Sequence, residues 1–524
     1  MAGPVVLLDG RTVSCARVAE VARGAATAAV SVEGMERARA AARTARDVAA
    51  RRQVYGRTTG VGANRDQPVG PRDLDAHGLR LLRSHAGGTG PLVSAEASRA
   101  MLVVRANQIA AGGSGVDPGV LGALLDGVNA GLSVPVPRYG AIGTGDLTAL
   151  AVAALCLLGE RDWIEAVPAP SRERQGPPPR STPRRGPSQP RFPLASADAL
   201  AFLSSNAATV GEAALVCTDL AELLRAAVVA AALSHCAVAA SAEPYAAAVH
   251  EARSYPGQRV VAAALRELLG PAAELRSGPG PAARIQDPYG YRALPQVHGP
   301  AADAVRQADR AVTAELNAAA ENPLVDVAAG TVWHNGNFHA AYVGLALDAV
   351  RAALFQTAAL SAARLGTLAE PAFTGLAPFL ATDPPPSSGV MILEYVAHSA
   401  IADIRRLAAP AALGSAVLSR GVEEHAGFAT QSARATTDVV DAYRIVLACE
   451  IVAAVRALRM RAVTPAGASL AAAFDLAAGA LPASTADRAL GEDLTIAQGL
   501  LPALASLAEP LDPTGSADQP IVHR

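Results

Sequence analysis

The sequence predicts a mainly α protein, a long helical bundle preceded by a smaller N-terminal domain that carries loops. Two observations carry this reading. From Ser196 onward, long Ala/Leu/Val runs are broken at Glu243-Pro244, Gly270-Pro271, 278–281, Asn322-Pro323 and Pro384-Pro385-Pro386, the kinds of dipeptide at which helices stop. Within 437–461, Val440, Tyr443, Leu447, Ile451 and Val455 recur at intervals of three and four, which puts them on one helix face. Several such helices in succession build a bundle. The expected division is an N-terminal domain over 1–195, a central and C-terminal bundle over 196–510 and a tail over 511–524. A chain of 524 residues buries an ample core. Soluble bundles of this length also bury apolar faces between subunits, so a homo-oligomer is expected.

The N-terminal part opens on a short strand, Val5–Leu8, followed by Ala- and Arg-rich helices to about residue 50. Residues 55–62, YGRTTGVG, form a glycine-punctuated loop, and 81–90, LLRSHAGGTG, form another after a helical stretch. Residues 139–150, YGAIGTGDLTAL, follow a Pro-rich lead-in and place Gly140, Gly143 and Gly145 just before Asp146. Glycine allows close chain approach, and Asp146 is placed to cap the helix that the apolar run 147–158 predicts. Taken alone, these stretches also read as tight turns, with Tyr55 a surface aromatic and His85 a structural histidine.

The composition narrows the chemistry. Lysine is absent, so all 45 basic residues are arginine, which excludes a lysine Schiff base and the usual attachment of pyridoxal phosphate. A formal charge of −2 gives no global field toward nucleic acid or an acidic membrane. Cys15, Cys156, Cys217, Cys236 and Cys449 are scattered without metal-ligand spacing, as in a reduced, cytoplasmic protein. The N-terminus has too short an apolar run and no basic stretch for a signal peptide. The apolar window 226–242 is interrupted by Ser234, His235 and Ser241, which suits a buried bundle helix better than a membrane span. The Pro/Ser/Arg-rich stretch 168–193 buries too little apolar surface to fold alone. It reads as a mobile surface excursion, with an arginine patch suited to an acidic partner or a carrier-protein phosphopantetheine.

Motifs in a consistent order over about residues 50–440 resemble the aromatic amino acid ammonia-lyase family, which includes the histidine, phenylalanine and tyrosine ammonia-lyases and related aminomutases. The resemblance implies a tetramer whose active sites are shared between chains. It makes Tyr55, in YGxTTGxG, the catalytic base that removes the β-proton. Ser84-His85 is similar to the selectivity segment of histidine- and tyrosine-type members, so His85 would meet a polar ring substituent. Asn206 matches the family's Asn-Gly-Thr motif, with Ala207 and Ala208 replacing Gly-Thr. RIQDPYGYRALPQVHG, 284–299, resembles QDxYxxRxxPQVHG nearly position for position. Arg292 would bind the substrate carboxylate bidentately, with Gln286 and Tyr289 as hydrogen-bond donors to substrate or reacting centre. Glu315-Leu316-Asn317 with Glu321-Asn322-Pro323, and then Asn335-Gly336-Asn337-Phe338-His339, resemble two further motifs. There Asn337 would support the carboxylate and Phe338 would pack near the electrophile. Glu423-Glu424-His425 resembles the Glu-Asp-His motif, in which Glu423 would meet the substrate amine. Neighbouring residues on a helix face different ways, so no metal is expected from that cluster.

The departure that matters lies in the triad. The family's Ala-Ser-Gly cyclises and dehydrates into the electrophile MIO, and Gly143-Thr144-Gly145 stands at that position. Glycine at 143 leaves cyclisation unobstructed. Dehydrated Thr144 would carry an extra methyl on the attacked carbon, and β-branching restricts its rotamers, so standard MIO is expected to be absent and no other cofactor is implied. Three readings follow. The first is a lyase acting on a small aromatic or unsaturated carboxylate through Tyr55 without MIO, by elimination, dehydration, isomerisation or cyclisation. The second is a histidine- or tyrosine-type ammonia-lyase or aminomutase using a cyclised Gly-Thr-Gly electrophile. The third is an inactive scaffold or partner protein.

Overall fold

The apolar stripe of 437–461 lies within one long helix, Ala429–Met460, and Val440, Tyr443, Leu447, Ile451 and Val455 are all buried. This and the other elements come from a computed structural model, which describes residues 3–70, 72–165, 189–270 and 284–511. Helices dominate, as the sequence predicts, and the longest are Ala207–Ala237, Leu294–Leu316, Ala341–Ala369 and Ala429–Met460. The chain divides into two compact units, each assembled from three separate segments.

The first unit comprises Met1–Thr218, Asp309–Leu345 and Ala411–Arg434. Its centre is the helix Ala95–Ala111, buried at every position from Ala97 to Ala110. Against it pack the helices Cys15–Ala22, Val32–Ala49 and Val120–Asn129. Three of these four helices start on a serine whose side chain accepts a first-turn N–H: Ser14 from Arg17, Ser31 from Gly34 and Ser94 from Ala97. Each cap satisfies a donor the helix cannot pair internally. The strand Val5–Leu8 forms as predicted and pairs in parallel with Thr27–Val30, Val5 opposite Thr27. The apolar run 147–158 is the helix Leu147–Leu158. Short antiparallel pairs also form, Thr89–Leu92 with Pro137–Tyr139, and Leu324–Asp326 with Thr331–Trp333, the latter against the helix Val32–Ala49.

The second unit comprises Asp219–Ala308, Ala346–Pro410 and Ala435–Arg524. Its helices enclose an ion pair with no solvent exposure, in which the Arg364 guanidinium donates to the Glu450 carboxylate from Nε at 2.6 Å and Nη2 at 2.8 Å. Ser234 donates to the same carboxylate at 2.7 Å, Ser361 donates as well, and Arg364 Nη1 reaches the Gly290 carbonyl. Buried charge is costly unless paired and hydrogen-bonded, and both partners meet that requirement. The helix Ala341–Ala369 is long and apolar enough to cross a membrane by length and composition alone. Its fully buried Arg351 and Arg364, paired with Asp348 and Glu450, mark it as a bundle helix.

The stretch 168–193 lies outside the described residues as far as 188, and so does the tail from 512. At the end of the former, Phe192 donates its N–H to the Leu157 carbonyl at 2.9 Å.

Candidate active site

The loop bearing Tyr55 is held by its own threonines. Thr58 Oγ1 accepts the Val54 N–H at 2.8 Å, and Val69 donates to the Thr58 carbonyl at 2.9 Å. Arg57 is buried beside it and pairs with Asp198 at 3.0 Å. Gly56 is required: its φ is +67°, and a Cβ there would lie 1.9 Å from Leu200 Cδ2. The phenolic oxygen of Tyr55 accepts the Gly62 N–H at 2.7 Å. Ser419 Oγ accepts the Ala63 N–H at 2.9 Å, which ties this loop to the segment carrying Glu423.

The triad is clamped on both sides. Ahead of it, Gln431 Nε2 donates to the Ala141 carbonyl and Phe428 N–H to the Ile142 carbonyl, both at 2.8 Å. Within it, the Gly143 carbonyl accepts the Ala340 N–H at 3.1 Å, and Thr144 pairs with His339 across an antiparallel bridge. Behind it, Asp146 donates its N–H to the Ser205 carbonyl at 2.7 Å. Asp146 occupies the N-cap position of Leu147–Leu158 but caps nothing there, which corrects the sequence expectation. Its carboxylate instead accepts the Thr209 N–H at 2.7 Å and the Thr209 hydroxyl at 2.9 Å. It therefore binds the first turn of the helix Ala207–Ala237, where a negative charge is favoured.

These loops enclose one cavity of about 1140 Å³ within the first unit, and Tyr55, His85, Thr144, Gly145, Phe338 and Glu423 all line it. Gly143 is buried and is not among the lining residues. Asn206 is also fully buried, its amide donating to Glu315 at 2.7 Å and accepting from Gln108 at 2.8 Å, and the neighbouring Ser204 and Ser205 line the wall instead. Asn337 is exposed and donates its N–H to Asn335. Gln286, Tyr289 and Arg292 belong to the second unit. There Arg292 donates to Gln286 and lies 4.7 Å from the centre of the Tyr289 ring. Sequence reasoning gave no role to three histidines of the cavity, His334, His339 and His425. The last two stand inside quoted motifs, whereas His334 had no signal beyond its place beside one. His334 Nε2 is 3.4 Å from the Tyr55 N–H nitrogen, and the two rings meet edge to face with centroids 6.4 Å apart. His339 Nε2 lies 2.9 Å from His425 Nδ1.

Electrostatics set what these groups can do. Burial pushes the Tyr55 phenol above its ordinary value and the Glu423 charge adds to this, while the Gly62 N–H and Arg65 oppose it. Phenolate-favouring surroundings, which a tyrosine base requires, are therefore not supplied by these neighbours. Burial lowers His334, helped by Arg52, and lowers His339, helped by His425, so both favour the neutral ring. Burial raises Asp146 to about 6 against the pull of its Thr209 bonds. His85 Nδ1 lies 2.9 Å from the Leu81 carbonyl. A carbonyl only accepts, so the hydrogen bond assigns the proton to Nδ1 and leaves Nε2 of the neutral ring as an acceptor. Among the described residues no group of three or more His, Cys, Asp or Glu could hold a metal.

The triad departs from the Ala-Ser-Gly segment at two of its three positions. Thr144 replaces the serine, and an alanine Cβ at 143 would lie 2.5 Å from the backbone nitrogen of Ala429. The Gly-Thr-Gly backbone itself meets no such obstacle, with φ of +82° at Gly143 and +97° at Gly145.

Comparison with known proteins places the whole chain in a family. A family model described as aromatic amino acid lyase matches residues 13–478. The chain is 32% identical over 511 residues to a histidine ammonia-lyase of Stigmatella aurantiaca, covering 96% of this chain and 97% of that protein. Among solved structures, it is similar to histidine ammonia-lyase from Trypanosoma cruzi, with a TM-score of 0.84, 27% identity, and 96% of this chain and 94% of that one covered. It is equally similar to tyrosine aminomutase from Streptomyces globisporus, with a TM-score of 0.84, 26% identity, and 96% and 97% covered. The chain belongs to the aromatic amino acid lyase family.

Proposed function

We propose that this protein is an ammonia-lyase or aminomutase acting on histidine, tyrosine or a close relative, through an electrophile cyclised from Gly143-Thr144-Gly145. The observation that carries the reading is the single cavity shared by Tyr55, His85, Thr144, Gly145, Phe338 and Glu423. The names of the curated relatives also favour it over an electrophile-free reaction. Family members normally form MIO autocatalytically from their own Ala-Ser-Gly segment. When formed, such a group supplies an electrophile that turns the substrate amine into a leaving group. Tyr55 takes the β-proton, Glu423 meets the amine, and His85 Nε2 accepts a hydrogen bond from the substrate ring. Phe338 packs beside the triad, where a Cβ on Gly145 would meet its ring at 3.7 Å.

Family members act on small substrates and are typically homotetramers. In a tetramer of this chain, a second copy brings Gln286, Tyr289 and Arg292 to the cavity. Arg292 clamps the carboxylate and supplies the positive charge that Tyr55 lacks, while Asn337 assists the carboxylate and Asn206 acts from behind the wall. No external cofactor is needed, and a cytoplasmic enzyme fits the five free thiols.

Thr144 favours a second reading, because its β-methyl hinders attack at the carbon that must react. In that case Tyr55 and the carboxylate clamp serve a substrate with an easier proton or better leaving group, by MIO-independent elimination, dehydration, isomerisation or cyclisation. Turnover of histidine and tyrosine by wild type, Thr144→Ala and Tyr55→Phe separates the possibilities. Loss of ammonia release in both variants supports the electrophile. Turnover that survives Thr144→Ala but not Tyr55→Phe supports the second reading. No turnover in any of the three proteins leaves a scaffold.

A further inference from the structure

The triad's neighbours are backbone groups, and their positions bear on how the ring would close. A five-membered ring forms when the Gly145 amide nitrogen attacks the Gly143 carbonyl carbon. That carbonyl oxygen is the one held by the Ala340 N–H at 3.1 Å. A donor placed on an oxygen that gains negative charge during attack stabilises the transition state. On the far side, the first turn of the helix Ala429–Met460 presses on Gly143. A Cβ there would lie 2.5 Å from Ala429 N, 3.1 Å from Phe428 N and 3.2 Å from Ala429 Cβ. The nearest of these is backbone and cannot swing aside. Phe428 itself sits at φ +48°, a conformation costly for a non-glycine residue, and its N–H is fixed on the Ile142 carbonyl. The press is therefore built into the fold.

We infer that Ala340 N–H is the oxyanion donor for ring closure in this chain, and that Gly143 is obligatory because the helix start at Phe428-Ala429 closes directly on it. Restoring the relatives' alanine at 143 would then impair maturation. The inference rests on the proposed electrophile but concerns only how the backbone makes it. In the step, the Gly145 nitrogen bonds to the Gly143 carbon. The carbonyl oxygen leaves as water with the amide hydrogens of residues 144 and 145, giving a carbon–nitrogen double bond. The hydroxyl of residue 144 leaves as a second water with its α-hydrogen. No oxidant or reductant enters.

The test uses intact mass and the mass of the peptide spanning 139–150, in full-length Thr144→Ser protein, where the β-methyl is removed. T144S is expected to lose two waters. G143A/T144S, although it restores Ala-Ser-Gly, is expected to keep its unmodified mass over the time in which T144S matures, because the added Cβ meets backbone at Ala429. A340P/T144S decides the matter if the first double variant does not fold. Proline there removes the donor at the position just before the helix Ala341–Ala369, and circular dichroism checks that the buried site accepts the ring. A340P/T144S is expected to lose the two waters about a hundredfold more slowly, the scale of a lost oxyanion contact. Either double variant maturing as fast as T144S overturns the inference, and so does a T144S protein that keeps its unmodified mass. The wild-type mass reads the proposed function separately, because it depends on Thr144 and the comparison does not.

Discussion

Tyr55 Oη accepts the Gly62 N–H at 2.7 Å while the Glu423 charge stands against its ionisation. Burial, with the Glu423 charge added and the Gly62 N–H opposing, holds the phenol above its ordinary value, so the fraction present as base at neutral pH is small. Activity is expected to climb with pH as Tyr55 ionises. Glu423→Gln removes an opposing charge, so the rising limb of kcat/KM should move to lower pH, whatever the change in the plateau. Tyr55→Phe should cost about 100- to 10,000-fold in kcat, the scale of a lost general base, with the fold intact by circular dichroism. A limb that stays in place in Glu423→Gln would separate Glu423 from the base.

His85 is fixed by the Leu81 carbonyl with Nε2 left as an acceptor. A substrate ring with an N–H or O–H donor is therefore preferred over a plain phenyl ring. His85→Phe should reduce kcat/KM for histidine and tyrosine by about 10- to 100-fold, as unpairing a buried polar group costs about 1–3 kcal/mol, and should raise it for phenylalanine. Competition assays with the three amino acids measure this directly.

Much of the scaffold is legible in the sequence, because its signals are local. Val5–Leu8 and Leu147–Leu158 form where apolar runs place them, and the stripe from Val440 to Val455 is buried as its spacing requires. Asp146 shows where local reasoning fails. A capping residue was expected next to its helix, yet the carboxylate binds Thr209, 63 residues away, a contact set by packing alone. The same holds for the press of Ala429 on Gly143. The site motifs are legible as motifs, but the sequence does not tell which of them meet within one unit. Tyr55, His85, Thr144 and Glu423 do so, whereas Gln286, Tyr289 and Arg292 lie in the other unit. His334 went unseen because a single histidine beside a motif carries no periodicity or spacing.

Burial holds the Asp146 carboxyl up at about 6, above its value of about 3.9 in an unfolded chain. The folded state thus binds the proton more tightly. This group opposes folding above pH 6, and its penalty is relieved as the pH falls from about 6 toward 4. Relative to Asp146→Asn, wild type should gain melting temperature over that interval. Parallel pH dependences in the two proteins would show that the carboxyl titrates normally.

The Arg364–Glu450 pair has no exposure on either side. Glu450→Gln leaves a buried guanidinium without its counter-charge and should destabilise the protein by about 3–5 kcal/mol. Replacing both residues with apolar ones of similar volume should cost less than the single change. Denaturant melts of the single and double variants test the difference.

The central claim, that Gly143-Thr144-Gly145 matures into an electrophile, is tested most directly by high-resolution mass spectrometry of the wild-type peptide spanning 139–150. Loss of two waters is the predicted result. An unmodified mass in freshly purified, folded protein would contradict it and leave Tyr55 to act without an electrophile.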